Sequence, residues 1–186
     1  MTEIRNKRRE FKKLVKRLMP IMFAAAGFIA GALAGAFSGG MIPSLPAPDM
    51  SSAYGSSSPF YFTVTCISSE MKYAVLVYML GFCTFGAPVC LIAASYRAAL
   101  AGWSAVYLLK EGYPLGVYFV HSVTSLIFTA LLCCLCILSI EHSERFARGG
   151  ERADREQIWS YTVKCLFFGG LTVCVVIIRQ LLLLIT

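Results

Sequence analysis

Residues 73–109 read YAVLVYMLGFCTFGAPVCLIAASYRAALAGWSAVYLL, an apolar tract of 37 residues interrupted only by Gly86-Ala87-Pro88 and by Arg97. As a single helix it would extend about 55 Å, against a hydrocarbon core of about 30 Å. One crossing is therefore excluded. A turn at Arg97 leaves only 12 residues after it, so two short crossings and a re-entrant hairpin both fit. Either way the chain returns to the side it entered from. Pro88 has no N–H to offer an internal helix bond, which predicts a broken, tilted pair with its break near Pro88.

Three similar segments flank this tract: Met19 to Phe37, Leu115 to Ile140, and Ile158 to the C-terminus. The expected architecture is an all-α, polytopic integral membrane bundle of about five membrane segments. Its polar parts are a basic arm (1–18), a Gly/Ser/Pro-rich loop (39–72) and a charged loop (141–157), which makes 19–186 a single membrane domain. Ala32-Leu33-Ala34 resembles a signal-peptide cleavage site, but residues 19–38 are read as a retained first span. With 58% hydrophobic and 15% charged residues, the chain lies outside the range of a soluble domain, which has about 25% charged residues. A soluble enzyme and a secreted disulfide scaffold are thereby excluded.

The net charge of +7 is concentrated at one end: Arg5, Lys7, Arg8, Arg9, Lys12, Lys13, Lys16 and Arg17 fall within the first 17 residues. Beside a membrane span such a run reads as an anchor to anionic headgroups rather than to nucleic acid. Ile4, Phe11, Leu14, Val15 and Leu18 lie near helical spacing, so the arm also suits an interfacial helix. Basic residues favour the cytoplasmic side. With the N-terminus inside, that side holds twelve, the arm's eight plus Arg145, Arg148, Arg152 and Arg155, against Lys72, Lys110 and Arg179 outside. The 39–72 loop and the C-terminus are then extracytoplasmic.

Gly27, Gly31, Gly35 and Gly39 recur every fourth residue on the first span, a small-residue stripe that admits another backbone. Its partner is either a helix of the same chain or another molecule, including a second copy. Arg97 costs about 2.5–3.5 kcal/mol at mid-membrane; Glu70 and Glu111 are the nearest acids in sequence, and snorkelling to the surface is the alternative. His121, Ser125 and Thr129 form a polar strip at i, i+4 and i+8. It suits interhelical hydrogen bonds, or the lining of a proton or ion path. The eight cysteines lie mostly in apolar runs, where Cys packs as a small hydrophobe. Paired intramembrane carboxylates, phosphate loops and nucleophile–base groupings are missing, so neither catalysis nor a cofactor or metal is expected.

Leu80-Gly81, Gly86-Ala87-Pro88, Arg97 and Gly102, with Lys72 ahead of them, resemble the pattern of the stage II sporulation protein M family. The surrounding layout, a basic N-terminus, one span, an outer loop and several further spans, is similar too. Glu70 stands where the family often has Asn, and Ser125 stands where broader relatives carry a Glu downstream of the histidine. The resemblance implies a multi-pass protein of the bacterial cell membrane that scaffolds and localises peptidoglycan-cleaving enzymes during engulfment. Tyr54, Phe60, Tyr61 and Phe62 in the outer loop are then candidate partner contacts; aromatic residues also simply favour the bilayer interface. The competing expectation is a small transporter or channel subunit with a path near Arg97 and His121, since Gly/Pro-broken segments mark substrate sites in transporters.

Overall fold

The computed structural model describes residues 2–37, 59–149 and 155–185. These form five α-helices: α1 (Thr2–Phe37), α2 (Pro59–Leu80), α3 (Gly86–Lys110), α4 (Leu115–Gly149) and α5 (Arg155–Ile185). Four segments are long and apolar enough to cross a membrane: Arg17–Phe37, Gly86–Lys110, Leu115–Arg145 and Arg155–Leu183. The fifth helix, α2, carries Glu70 and Lys72 within its 22 residues.

The 73–109 tract is two helices, and its break falls earlier than Pro88. Four successive tight-turn bonds carry the chain from α2 into α3: Gly81 N to Tyr78 O, Phe82 N to Met79 O, Cys83 N to Leu80 O and Gly86 N to Cys83 O, at 3.0–3.1 Å. Gly86 opens α3 because a Cβ there would meet the Leu80 carbonyl. Pro88 lies within the first turn of α3, where a missing N–H costs nothing. It starts a helix instead of breaking one. At the other end of α3, Gly112 takes φ +69°, the left-handed geometry that glycine adopts freely, and the chain turns into α4.

Other predicted boundaries move as well. The 39–72 loop ends early, because α2 begins at Pro59. The 141–157 loop shrinks, because α4 continues to Gly149 and α5 starts at Arg155. Glu, Arg and Ala in this stretch are good helix formers, and charge alone does not end a helix. The 1–18 arm is no separate element: it is the first half of α1, which runs on through Pro20.

Contacts fix how the helices run. Pairing residues 27, 31 and 35 of α1 with 95, 99 and 103 of α3 makes these two helices parallel. Glu70 with Arg97 sets α2 antiparallel to α3, and Cys90 with Ser139 does the same for α3 and α4. Cys66 with Gln180 and Tyr78 with Thr162 set α2 against α5, also antiparallel. Successive helices thus alternate in direction. The shared core holds Ala24, Val77, Cys90, Ala94, Ala98, Leu132, Leu135 and Cys136, while Ile21, Met22, Leu126, Leu166, Phe167 and Ile178 point outward. Such an outward apolar face suits lipid rather than water. Cys90, Cys133, Cys136 and Cys165 are buried thiols that pack as small side chains.

Candidate functional site

The glycine stripe of α1 lies against α3. A Cβ on Gly31 would run into the Ala99 backbone, with Ala99 Cα 2.7 Å away. One on Gly27 would meet Ser95, with its Oγ at 2.7 Å, and one on Gly35 would press Trp103 Cδ1 at 3.1 Å. From the other side, Gly102 admits the Phe28 carbonyl and Ala32 N, the latter 3.0 Å from a Cβ built there. Small residues on both faces therefore bring two backbones into contact. Of the two partners the stripe allowed, a helix of the same chain occupies Gly27, Gly31 and Gly35; Gly39 lies outside the described residues. Lys110 closes the seam by donating to Gly35 O and Ala36 O, both at 2.8 Å. These are carbonyls of the last turn of α1, where a cation is favoured.

Arg97 does not snorkel. It is 7% exposed and grips Glu70 through two bonds, Nε to Oε2 at 2.9 Å and Nη2 to Oε1 at 2.6 Å. The two side chains are 8% and 13% exposed. Bidentate geometry in a low dielectric is the arrangement in which burying both charges is best compensated. The Phe128 ring centroid lies 6.0 Å from the guanidinium carbon. Beside the pair is a cavity of about 10 Å³, bounded by Tyr73, Phe128, Leu132 and Thr172 among others. That is about the space of one water.

The predicted strip on α4 is buried throughout, but its members act differently. His121 Nε2 lies 3.0 Å from Ser104 Oγ, and its Nδ1 lies 3.2 Å from Arg179 Nη2. An arginine can only donate, so Nδ1 accepts and Nε2–H donates to Ser104 Oγ. Ser104 in turn donates to Ala101 O at 3.0 Å. The imidazole is thereby held neutral in one tautomer. Thr129 turns back on its own helix, donating to Ser125 O at 2.8 Å, so the strip is no continuous relay. Arg179, expected at the outer surface, is 5% exposed, and its Nε has no hydrogen-bond partner. Next to it, Gln180 Nε2 donates to Cys66 Sγ at 3.5 Å.

A second polar group surrounds the end of α2. Ser139 donates to Val77 O at 2.9 Å and Tyr161 to Tyr78 O at 3.0 Å. His142 Nδ1 donates to Gly81 O at 3.0 Å and Ser143 to Cys83 O at 2.6 Å. The last carbonyls of a helix have no partner within it; here side chains of α4 and α5 add donors to those of the turn itself, in which Gly81 N and Gly86 N already reach Tyr78 O and Cys83 O. His142 stacks on Tyr161 with centroids 4.2 Å apart, and Phe82 meets both edge-on. Expected in an exposed loop, His142 is instead buried on a helix. Gly81 must be small because a Cβ would strike the Tyr161 ring, with Cζ at 2.6 Å. The i, i+3, i+4 spacing of Ser139, His142 and Ser143 is the signal that could have found this collar.

Of the residues that carry the resemblance, Gly86 and Pro88 form the α2–α3 junction, Gly81 receives the collar, and Arg97 and Gly102 meet neighbouring helices. Tyr54 lies outside the described residues. Phe60, Tyr61 and Phe62 fall in the first turn of α2, and their side chains lie outside the described residues. Among the described residues no group of His, Cys, Asp or Glu is placed to hold a metal ion. No family model, curated protein or solved structure matches this chain.

Proposed function

We propose that the chain is an integral membrane scaffold that crosses the bilayer five times, with its N-terminus in the cytoplasm and its C-terminus outside. The alternating helix directions and the excess of basic residues on the side of the N-terminal arm support this course. A C-terminal alkaline phosphatase fusion should be active and an N-terminal one inactive. In line with its resemblance to the stage II sporulation protein M family, the protein holds peptidoglycan-cleaving enzymes in an engulfment complex and is not itself a hydrolase.

One observation carries the scaffold reading: the arginine of the resembling motif is consumed in a closed ion pair beside about 10 Å³ of space. A substrate path through Arg97 would need room and an uncommitted charge. The same polar groups serve well as fasteners that hold a fixed outer surface. The experiment is co-purification from sporulating cells, where wall hydrolases are expected to travel with the protein; recovery of an ATPase, or of nothing, would sink the reading. The transport alternative draws on Arg179, whose Nε is unpaired next to His121. It requires flux in proteoliposomes that Arg97→Ala abolishes, whereas the scaffold gives none.

A further inference from the structure

Between α4 and α5, at the end where the α2 collar sits, is a half-enclosed pocket of about 300 Å³. Its lining includes Glu141, His142, Arg145, Glu156, Tyr161 and Lys164. The volume is at the small end of the range for ligand sites. Two acids and two cations therefore face one space. Glu141 pairs outward with Arg17 at 3.3 Å. Among the described residues Arg145, Glu156 and Lys164 have no ion pair or hydrogen bond. Opposite charges this close on facing helices would ordinarily swing together; here they stand apart around a gap.

The depth of the pocket is as informative as its charge. The membrane-length segment of α4 ends at Arg145 and that of α5 begins at Arg155, so the pocket lies where apolar helix gives way to polar. Trp159, 68% exposed on α5, belongs to the residue type that concentrates at the headgroup level. Lys164 lies nine residues past Arg155, about 13 Å further along the helix axis, and its long stem lets the ammonium reach up to that level. Behind the charges, the stacked His142 and Tyr161 rings form a flat wall.

The geometry points to a lipid site: this pocket seats the headgroup of a zwitterionic aminophospholipid, its phosphate between Arg145 and Lys164 and its ammonium between Glu141 and Glu156. A phosphate alone would satisfy the two cations and leave Glu156 facing an anion. An ammonium alone would do the reverse. A head carrying both charges meets all four, and the ammonium's three donors suit two carboxylates. The acyl chains would run along the exposed apolar surface of α5, past Val163, Leu166 and Phe167. The site concerns lipid selection and stands independently of which protein partners the scaffold holds.

The test is native mass spectrometry of the full chain in detergent, supplied with dioleoyl phosphatidylethanolamine or dioleoyl phosphatidylglycerol at equal concentration. The ethanolamine lipid should be retained about tenfold better, and Glu156→Gln and Lys164→Gln should each lower its retention about tenfold. Lys72→Gln, an exposed change on α2, should leave it unaltered. The lining charges that are replaced are solvent-exposed, so these variants should melt like the wild type. Equal or better retention of phosphatidylglycerol would reduce the pocket to a basic patch and overturn the proposal. So would wild-type retention by both variants. Water-soluble phosphoethanolamine competing as strongly as the lipid would overturn it in favour of a free metabolite.

Discussion

Two polar regions sit inside one apolar bundle, and they are built of different material. Around Arg97 the groups are charged: a guanidinium and a carboxylate joined by two bonds, with Arg179 and His121 nearby. Around Gly81 they are mostly neutral, hydroxyls and an imidazole N–H donating to backbone carbonyls. The difference follows from what each must neutralise. A guanidinium among Phe128, Leu132 and Ala74 can be balanced only by an opposite charge. A helix end needs only donors, because its carbonyls carry partial charge. The charged region therefore fixes one helix to another through a pair that fails completely if half is removed. The neutral region spreads the same task over four weaker bonds from two helices.

Breaking the charged region is the most damaging change expected. Glu70→Gln leaves Arg97 buried without an anion, at a cost of about 3–5 kcal/mol. The double variant Glu70→Gln/Arg97→Met removes both charges and should recover most of that loss. Unfolding of each variant in mixed detergent micelles measures this. If the double variant were as unstable as the single, the ion pair would not be the reason for Glu70. The α1–α3 seam supplies an intermediate case because its close approach depends on shape. Gly31→Leu drives a side chain into the Ala99 backbone, which cannot rotate away, so α1 should detach from α3 at a cost of about 1–3 kcal/mol. Hydrogen exchange along the α1 backbone would report the change as lost protection.

The neutral collar should respond more weakly and more evenly. Tyr161→Phe and Ser139→Ala each remove the side-chain donor to one carbonyl, and each should cost about 1 kcal/mol. Because they serve different carbonyls of one helix end, the two losses should add within about 0.5 kcal/mol. Hydrogen exchange at the α2–α3 junction reads the local opening directly. Strong non-additivity would mean that the collar behaves as a single fastener like the charged pair, and the contrast between the regions would fail.

What was legible in the sequence divides along the same line. The cost of a buried arginine is so large that Arg97 demanded a partner from residue identity alone, and Glu70 was one of two available acids. The glycine spacing announced a close helix contact, while the choice of α3 as partner rests on three-dimensional register. The collar was missed because Glu141-His142-Ser143-Glu144-Arg145 looks polar enough to be a loop. Yet the same residues are competent helix formers, and one face of that helix meets protein. The break before α3 was misplaced for a related reason: proline and glycine are compatible with a first helical turn as well as with a kink. The aromatic contacts proposed for Tyr54 to Phe62 fall where side chains are undescribed, so they stand as expectations from the sequence.

The smallest expected effect comes from the same chemistry as the largest, moved outward. Arg17 Nε lies 3.3 Å from Glu141 Oε1, but these side chains are 65% and 40% exposed. There both ions retain water, and salt screens them. Arg17→Gln should therefore cost less than about 1 kcal/mol, and the difference from wild type should vanish in high salt. Raising the salt should leave the deficit of Glu70→Gln in place, because screening ions do not reach a pair this deeply buried. Melting curves for both variants at low and high sodium chloride make the comparison within one protein. A salt-insensitive Arg17 deficit would mean that the outer pair is shielded by lipid, placing the bilayer surface further along α1 and α4 than Arg145. That outcome would also move the 300 Å³ pocket below the headgroups, so this exposed ion pair doubles as a gauge of where the membrane ends.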